Sequence, residues 1–362
     1  MKLGKKKEKL IIQAAGENGA EVYVPVEADF VLKNNLEEIG IDANFMAQSF
    51  WKDVLIRYFR KFSAVFGLVF ILLISLMAGI GPGMNAYTYS EQNLSQKNFA
   101  PRVPGLEKYG IFNGDESMKT TTGSRIVNYY QEKELDDVYY WFGSDMFGRD
   151  IWTRTWSGAR VSLIIAVAAA VIDMVIGMSY GLISGYFGGK VDMVMQRLLE
   201  IANGIPRLVI VTLLLLVLQP GMVTIIFALM LTEWVGMSRI ARAEMLKLKE
   251  QEFVLASRTL GAGSFFIIFR EVLPNIIGPI ITQVMFSIPT AIFTEAFLSF
   301  VGLGIPVPQC SLGSLISEGF NSFTTHPYQI IPPIVVMALL MLSFNLVADG
   351  LREALDPKLK EM

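Results

Sequence analysis

The apolar residues of this chain are gathered into long runs, and the runs are separated by polar, charged segments. Phe62–Ile80 reads FSAVFGLVFILLISLMAGI and carries no charge. At 1.5 Å per residue, about 20 such residues reach across a hydrocarbon layer of about 30 Å, so this run predicts a membrane-spanning helix. Gly81-Pro82-Gly83 is expected to end it. Further apolar runs lie near 161–184, 205–218, 222–238, 275–300 and 329–348. Together they predict six spans, the third extended backward through the amphipathic VDMVMQRLLEIANGIP. The chain shows no repeat of about 20–50 residues, which argues against a solenoid.

The polar segments divide the rest. Residues 1–48 form an N-terminal arm with short β-like alternation at Glu21–Val26, too short for a core of its own. Residues 49–61 (SFWKDVLIRYFRK) place apolar and basic residues at helical spacing, as an interfacial helix does. The expected organisation is therefore an arm and interfacial helix at 1–61 and a first span at 62–80. A polar insert at 81–160, a membrane core at 161–350 and a tail at 351–362 complete it. The insert carries Tyr87, Tyr89, Tyr109, Tyr129, Tyr130, Tyr139, Tyr140 and Trp141 among charges of both signs. That composition suits a small folded cap that could meet an external protein; a disordered spacer is the alternative.

Composition supports the membrane reading. Apolar residues make up 52% of the chain and charged residues only 18%, whereas a soluble domain carries about 25% charged residues. The formal net charge of −2 identifies no partner, because the signs are segregated by position, and no nucleic-acid partner is expected. The 81–160 insert carries both signs and, as a long loop, weighs little in setting orientation. Outside it, most Lys and Arg fall in the arm up to Lys61, at Lys190 and Arg197, between Arg239 and Arg270, and in the tail. Gln219–Met222 and Val301–Tyr328 hold none. The positive-inside rule then places both termini in the cytoplasm and the 81–160 insert outside. The basic MKLGKKKEK start is followed by a polar stretch and not by an apolar one, so a cleavable signal peptide is not expected. The single cysteine, Cys310, excludes an internal disulfide framework.

Between the fourth and fifth spans lies QEFVLASRTLGAGSFFIIFREVLPN, residues 251–275. Gln251–Leu260 reads as a short helix bearing the small residues Ala256 and Ser257. Gly261-Ala262-Gly263 permits the positive φ that ends a helix and turns the chain. Ser264 can cap a second helix, Phe265–Val272, and Pro274 is expected to stop it where the next span begins. The product is two short helices at an angle, with an apolar-aromatic face and a basic rim, suited to docking in the cleft of a soluble partner. On these residues alone, an ordinary amphipathic hairpin remains an equal reading.

Other chemistry is thinly represented. A phosphate-cradling loop needs two glycines at the right spacing before Lys-Ser/Thr. Gly185–Lys190 misses by one place, and Val191 follows the lysine, so the stretch reads as a tight turn and no ATP site is expected. His326 and Cys310 are the only residues of their types and cannot by themselves form a metal cage; His326 reads as an ordinary surface residue. Asp173, Glu233 and Glu295 fall in or near apolar runs, where a carboxylate is a functional candidate. Backbone or neighbouring-helix partners account for them equally well, with Arg239 within reach of Glu233.

The 251–275 segment resembles the coupling-helix motif of ATP-binding cassette importer permeases. Its small residues are followed by Gly261 and then by Leu273-Pro274. The family motif opens Glu-Ala-Ala; here Leu255-Ala256-Ser257 stands in its place, with Glu252 one helical turn earlier. That departure resembles the peptide-importer branch. WFGSDMFGRDIWTRTWSGARVSL (141–163), EAFLSFVGLG (295–304) and LREALDPKLK (351–360) resemble further segments of C-type permeases of oligopeptide, dipeptide and nickel importers. The arm and the 81–140 insert exceed what that family usually carries.

The resemblance implies an all-α, six-span integral membrane protein of the type I importer permease fold, in the plasma membrane of a prokaryote. It implies ATPase coupling through Glu252, Ala256, Ser257, Gly261, Gly263, Leu273 and Pro274. It also implies a B-type permease partner, two ATP-binding subunits and an extracytoplasmic peptide-binding protein. ATP and Mg would be bound by the partners, so this chain has no cofactor, metal or catalytic residue of its own. Nickel chelates or another small solute are alternative cargoes, and a self-sufficient secondary carrier is the alternative class.

Overall fold

The computed structural model describes residues 50–120 and 123–355. The expected arm at 1–48, with its Glu21–Val26 alternation, the first residue of the expected interfacial helix, Ser49, and the tail from residue 356, with Asp356-Pro357, lie outside the described residues. By its internal contacts the chain divides into Met1–Asp53 and Val54–Met362, and every element from Val54 onward belongs to the second unit.

In chain order the described elements are α1 (Phe50–Arg60), α2 (Phe62–Ile80), the antiparallel hairpin β1 (Asp115–Thr120) and β2 (Gly123–Asn128), and α3 (Ile151–Phe187). Then come α4 (Gly189–Gly204), α5 (Arg207–Val217), α6 (Met222–Leu248), α7 (Glu252–Thr259), α8 (Ser264–Phe300), α9 (Leu312–Asn321) and α10 (Ile331–Leu355). Among the described residues five helices are long and apolar enough to cross a membrane: α2, α3, α6, α8 and α10.

The third apolar run departs from the continuous backward extension expected of it. α4 and α5 meet at 80°. Ile205, held extended by the ring of Pro206 behind it, makes the break. The third run is thus a bent pair and not one helix extended backward.

The second span also starts earlier than its apolar run. Asp150 caps α3 by accepting the Thr153 N–H at 2.7 Å, so the helix begins at Ile151, ten residues before the apolar stretch near 161. Arg154 and Arg160 can lie inside this helix because both have partners. Arg160 donates to the carbonyls of Ala78 and Gly79 at 2.8 and 2.9 Å. Arg154 reaches Glu318 on α9 at 2.7 Å.

α3 and α8 are each 37 residues long, about 55 Å at 1.5 Å per residue. Both exceed the hydrocarbon core and must tilt or project from it. Each contains a π-helical stretch, Asp173–Gly177 in α3 and Ile267–Val272 in α8.

The two largest apolar cores of the unit are these. One joins α2, α3, α6, α8 and α10 through Ile74, Ile165, Leu229, Ile292 and Leu340. The other joins the C-terminal ends of α3 and α6 to α7 and the start of α8 through Leu182, Met245, Val254 and Ile268. Backbones approach closely where glycine permits it. A Cβ on Gly181 of α3 would lie 2.2 Å from the Ser238 carbonyl of α6, and one on Gly177 would lie 2.5 Å from the Trp234 carbonyl. Gly177, Gly181 and Gly185 are spaced by four, so they form one stripe, the small-residue packing that membrane helices use in place of a hydrophobic drive.

The segment between α2 and α3 is folded. Phe99, Tyr130 and Tyr140 are buried together, with Tyr87 and Tyr129 against them. Tyr130 donates its hydroxyl to the Ala100 carbonyl at 2.8 Å. Arg102 lies over the rings of Tyr139 and Tyr130. Beyond this cluster, Arg149 and Arg154, both buried, share Asp145 and Glu318 at 2.5–2.8 Å. This network ties the start of α3 to α9, and each arginine keeps more than one acceptor, which buried charges require.

His326 corrects an expectation. It is buried, 8% exposed, and its Nδ1 lies 2.7 Å from Glu116 Oε1 on the hairpin. Folding brings these residues together across 210 positions, which is why no local signal marked His326 as other than a surface residue.

Candidate coupling site

The 251–275 segment folds as a short helix followed at once by a long one. α7 begins after Gln251, whose extended backbone starts the turn. Val254 is its one buried side chain and plugs the helix into the second core beside Ile267 and Ile268. Glu252 and Ala256 face outward and Ser257 is half-buried.

Gly261 ends α7. Its φ is +84°, the left-handed conformation that costs other residues about 1–2 kcal/mol. The Ala262 N–H reaches the Ser257 carbonyl and the Gly261 N–H the Arg258 carbonyl, both at 3.0 Å. This is the six-to-one and five-to-two pair that satisfies the last carbonyls of a helix. A Cβ on Gly261 would meet no atom within 4 Å, so the backbone angle alone selects glycine there.

The expected second short helix does not end. Gly263 stands at the N-cap position, and Ser264, expected to cap, is the first helical residue and makes no capping hydrogen bond. The helix then runs unbroken through Leu273 and Pro274 to Phe300. Pro274 fails to stop it because the preceding turn is π-helical: the Leu273 N–H bonds the Ile268 carbonyl, five residues back. That wider turn relieves the contact between a proline ring and the carbonyl four residues before it. The Asn275 amide takes the Glu271 carbonyl at 2.6 Å. The site is therefore one short helix braced against the projecting end of a span.

Bracing comes from Ser257, which donates its hydroxyl to Glu271 Oε2 at 2.6 Å. Leu260 (87% exposed) and Phe265 (64% exposed) stand at the tip, with Leu255 and Phe266 beside them. The basic rim is partly drawn onto rings, Arg258 over Tyr186 and Arg270 over Phe266. An exposed apolar group of this kind marks a surface for contact. Of the seven residues singled out in the sequence, Glu252, Ala256, Ser257, Gly261 and Gly263 gather on α7 and its turn. Leu273 and Pro274 lie further along α8, past the π-helical stretch.

Behind the site, Arg242 on α6 grips Asp192 on α4 with two bonds, 2.7 and 2.6 Å. The Ser184 hydroxyl donates to the same carboxylate at 2.5 Å. The turn joining α3 to α4 is Gly188-Gly189, both at positive φ, in the stretch that nearly matches a phosphate loop.

A family model described as "Binding-protein-dependent transport system inner membrane component" matches residues 177–361, which include the whole of this site. The chain belongs to this family. A second model, "N-terminal TM domain of oligopeptide transport permease C", matches residues 49–101. The chain is 41% identical over 313 residues to the oligopeptide transport system permease protein OppC of Bacillus subtilis, covering 86% of this chain and 91% of that protein. It is 39% identical over 332 residues to the dipeptide transport system permease protein DppC of the same organism, covering 91% and 93%. To DppC of Lactococcus lactis it is 42% identical over 323 residues, covering 87% and 92%. The family places the chain among multi-pass membrane permeases.

The intramembrane carboxylates have distinct surroundings. Glu295 is fully buried and accepts hydroxyls from Ser162, Ser299 and Ser311 at 3.1, 2.8 and 2.5 Å, a structural junction of α3, α8 and the start of α9. Asp173 is buried at the start of the α3 π-helical stretch. Glu233 is half-buried inside α6. Among the described residues no group of three or more His, Cys, Asp or Glu side chains could hold a metal ion.

Three features of the site were missed in the sequence. Glu271 carries no motif, and its role exists only through Ser257. The Arg242–Asp192 pair spans 50 positions and has no local signal. The Gly177, Gly181, Gly185 stripe did have one, the spacing of four within an apolar run.

Proposed function

We propose that this chain is the C-type permease subunit of an ATP-driven importer that carries oligopeptides across a prokaryotic plasma membrane. The reading rests on the naming of the relatives and on one observation, the apolar tip of α7 and α8 held rigid by Gly261 and the Ser257–Glu271 bond. A rigid tip can transmit force; a mobile one would dissipate it.

In this reading α7 and the start of α8 face the cytoplasm and dock in an ATP-binding subunit, one of two. Both termini lie on that side. The insert lies outside, where its folded cap meets a peptide-binding protein. A B-type permease completes the path. ATP and Mg belong to the ATP-binding subunits. When those subunits close on ATP, the tip moves with them, and the long α8 passes the motion from its projecting end to the membrane core. The α3–α6 glycine stripe and the Arg242–Asp192 grip make the cytoplasmic ends move as a block.

The test is co-purification from membranes with single cysteines placed at Leu260 or Phe265. Crosslinking to an ATP-binding subunit, and peptide uptake that stops on crosslinking, is the expected result. Uptake by this chain alone in ATP-free liposomes would overturn the reading.

A further inference from the structure

Where α6, α8 and α10 meet, near the end from which α8 projects, lies a groove of about 380 Å³, within the size range of ligand sites. Arg352 and Leu355, at the end of α10, line one part of it. Pro279, Gln283 and Phe286 of α8 line the rest, together with Ile240 of α6. Gly278 is level with the end of α10, since a Cβ on it would stand 3.4 Å from Leu355 Cβ. Phe286 follows Gly278 by eight residues, about 12 Å along the helix axis. Arg352 and Pro279 are exposed, so the groove is open to its surroundings.

Packing fixes the depth of this groove. α2 crosses the membrane, and its apolar run starts at Phe62. Lys61, just before that run, pairs with Glu353 at 2.5 Å. A Cβ on Gly350 would lie 2.3 Å from Ala64 Cβ, so the end of α10 is level with the start of α2. Arg352 therefore stands at the edge of the hydrocarbon layer. Phe286 lies inside that layer, because the roughly 20 residues that cross it, counted back from Phe300 at the end of α8, reach about Ile281. The groove thus has a cationic rim at headgroup depth and an apolar floor below it. Of the acids beside Arg352 on α10, Glu353 is held by Lys61, and Asp349 is exposed and does not line the groove.

We propose that this groove binds an anionic phospholipid. The phosphate pairs with Arg352, whose planar guanidinium takes two phosphate oxygens at once. One acyl chain runs inward past Pro279 to Phe286, and the Gln283 amide donates to a glycerol ester carbonyl on the way. A soluble anion would leave the apolar floor unfilled, and a zwitterionic lipid would set its own cation against Arg352. A peptide with its carboxylate on Arg352 would carry its polar main chain into the apolar depth. Seated there, the lipid ties α8 to α10 beside the projecting end of α8. The groove and its depth carry this inference independently of the peptide reading.

The probe is phosphatidylglycerol with a photoreactive diazirine on one acyl chain, added in trace to phosphatidylcholine liposomes that hold the full chain. Labelling is expected on α8 between Pro279 and Phe286. Enriching the liposomes with unlabelled phosphatidylglycerol should suppress it severalfold, while the same amount of phosphatidylethanolamine should not. Glycerol 3-phosphate in the buffer should leave it unchanged. Arg352→Gln should lower labelling severalfold, and Arg352→Lys should restore part of it. Labelling at Leu72 and Leu73, exposed on α2, reports general lipid contact and serves as the internal reference. Gln283→Leu, expected to lower labelling less, keeps the site testable if Arg352→Gln disturbs α10. Equal suppression by phosphatidylethanolamine, or labelling that neither Arg352→Gln nor Gln283→Leu changes against the α2 reference, shows ordinary annular lipid and overturns the proposal. Suppression by glycerol 3-phosphate assigns a soluble anion, and labelling lost in the assembled importer assigns the groove to a partner chain; either result overturns it as well.

Discussion

The Ser257 hydroxyl donates to Glu271 Oε2 at 2.6 Å, clasping α7 to the projecting end of α8. A helix of eight residues is too short to be stable in isolation, so its orientation depends on this bond, on Val254 and on the Gly261 turn. Ser257→Ala should cost about 1 kcal/mol of local stability and loosen the tip. Hydrogen exchange across 252–260 should rise while exchange in α3 stays unchanged. Unchanged exchange in α7 would show that Val254 and the turn suffice.

Gly261 makes a sharper test. Gly261→Val places a β-branched residue at φ +84°, a genuine outlier conformation. Membrane insertion should persist, because no apolar run is touched, and recovery of ATP-binding subunits with the chain should fall severalfold. Normal recovery together with normal uptake would count against the coupling role.

The glycine stripe predicts a graded series. At Gly181 a Cβ would lie 2.2 Å from the Ser238 carbonyl, and overpacking of this kind costs about 1–3 kcal/mol. Gly181→Ala should lower the thermal midpoint in detergent by several degrees, and Gly181→Leu should prevent stable folding. Gly204→Ala is the control: a Cβ there meets nothing within 4 Å, so its midpoint should hold or rise slightly.

The arginine network should be sensitive at its shared acid. Asp145→Asn leaves Arg149 and Arg154, both 1% exposed, with Glu318 as their remaining carboxylate. Removing one member of a buried ion group costs about 3–5 kcal/mol. Limited proteolysis should then cut the 84–150 segment faster than in the parent chain, and equal rates would refute the bracing role.

Cys310 should be inert. Burial pushes its thiol up, partly offset by the nearby Arg154 guanidinium, and the sulfur donates to the Arg154 carbonyl at 3.4 Å. Less thiolate and no access both suppress alkylation. N-ethylmaleimide at pH 7.5 should leave the folded chain unmodified by mass spectrometry and label it fully in denaturant.

The spans were legible because length and the absence of charge are properties of contiguous residues, and a membrane makes that local property decisive. Gly261 was legible for a related reason: a positive φ is a demand of the backbone at one position. Pro274 was misread because its effect depends on the preceding turn. That turn is π-helical, with Ile267, Ile268 and Val272 buried in it. The second apolar run, likewise, gave no sign that α3 starts ten residues early, since Arg154 is tolerable only with Asp145 and Glu318 already in place.

From its residues alone, this chain is committed to a bundle of membrane helices and to a segment, between the fourth and fifth apolar runs expected from the sequence, that turns at a glycine. Hydrophobic length and backbone permissiveness act locally, and no distant residue can cancel them. Tertiary structure decided which polar groups meet: Ser257 with Glu271, Asp192 with Arg242, and His326 with Glu116. Those pairs depend on directional bonds across 14, 50 and 210 positions. Only the packed fold brings such atoms within 3 Å, and so only the fold could turn a legible segment into a braced tip and an overlooked histidine into the buried partner of Glu116.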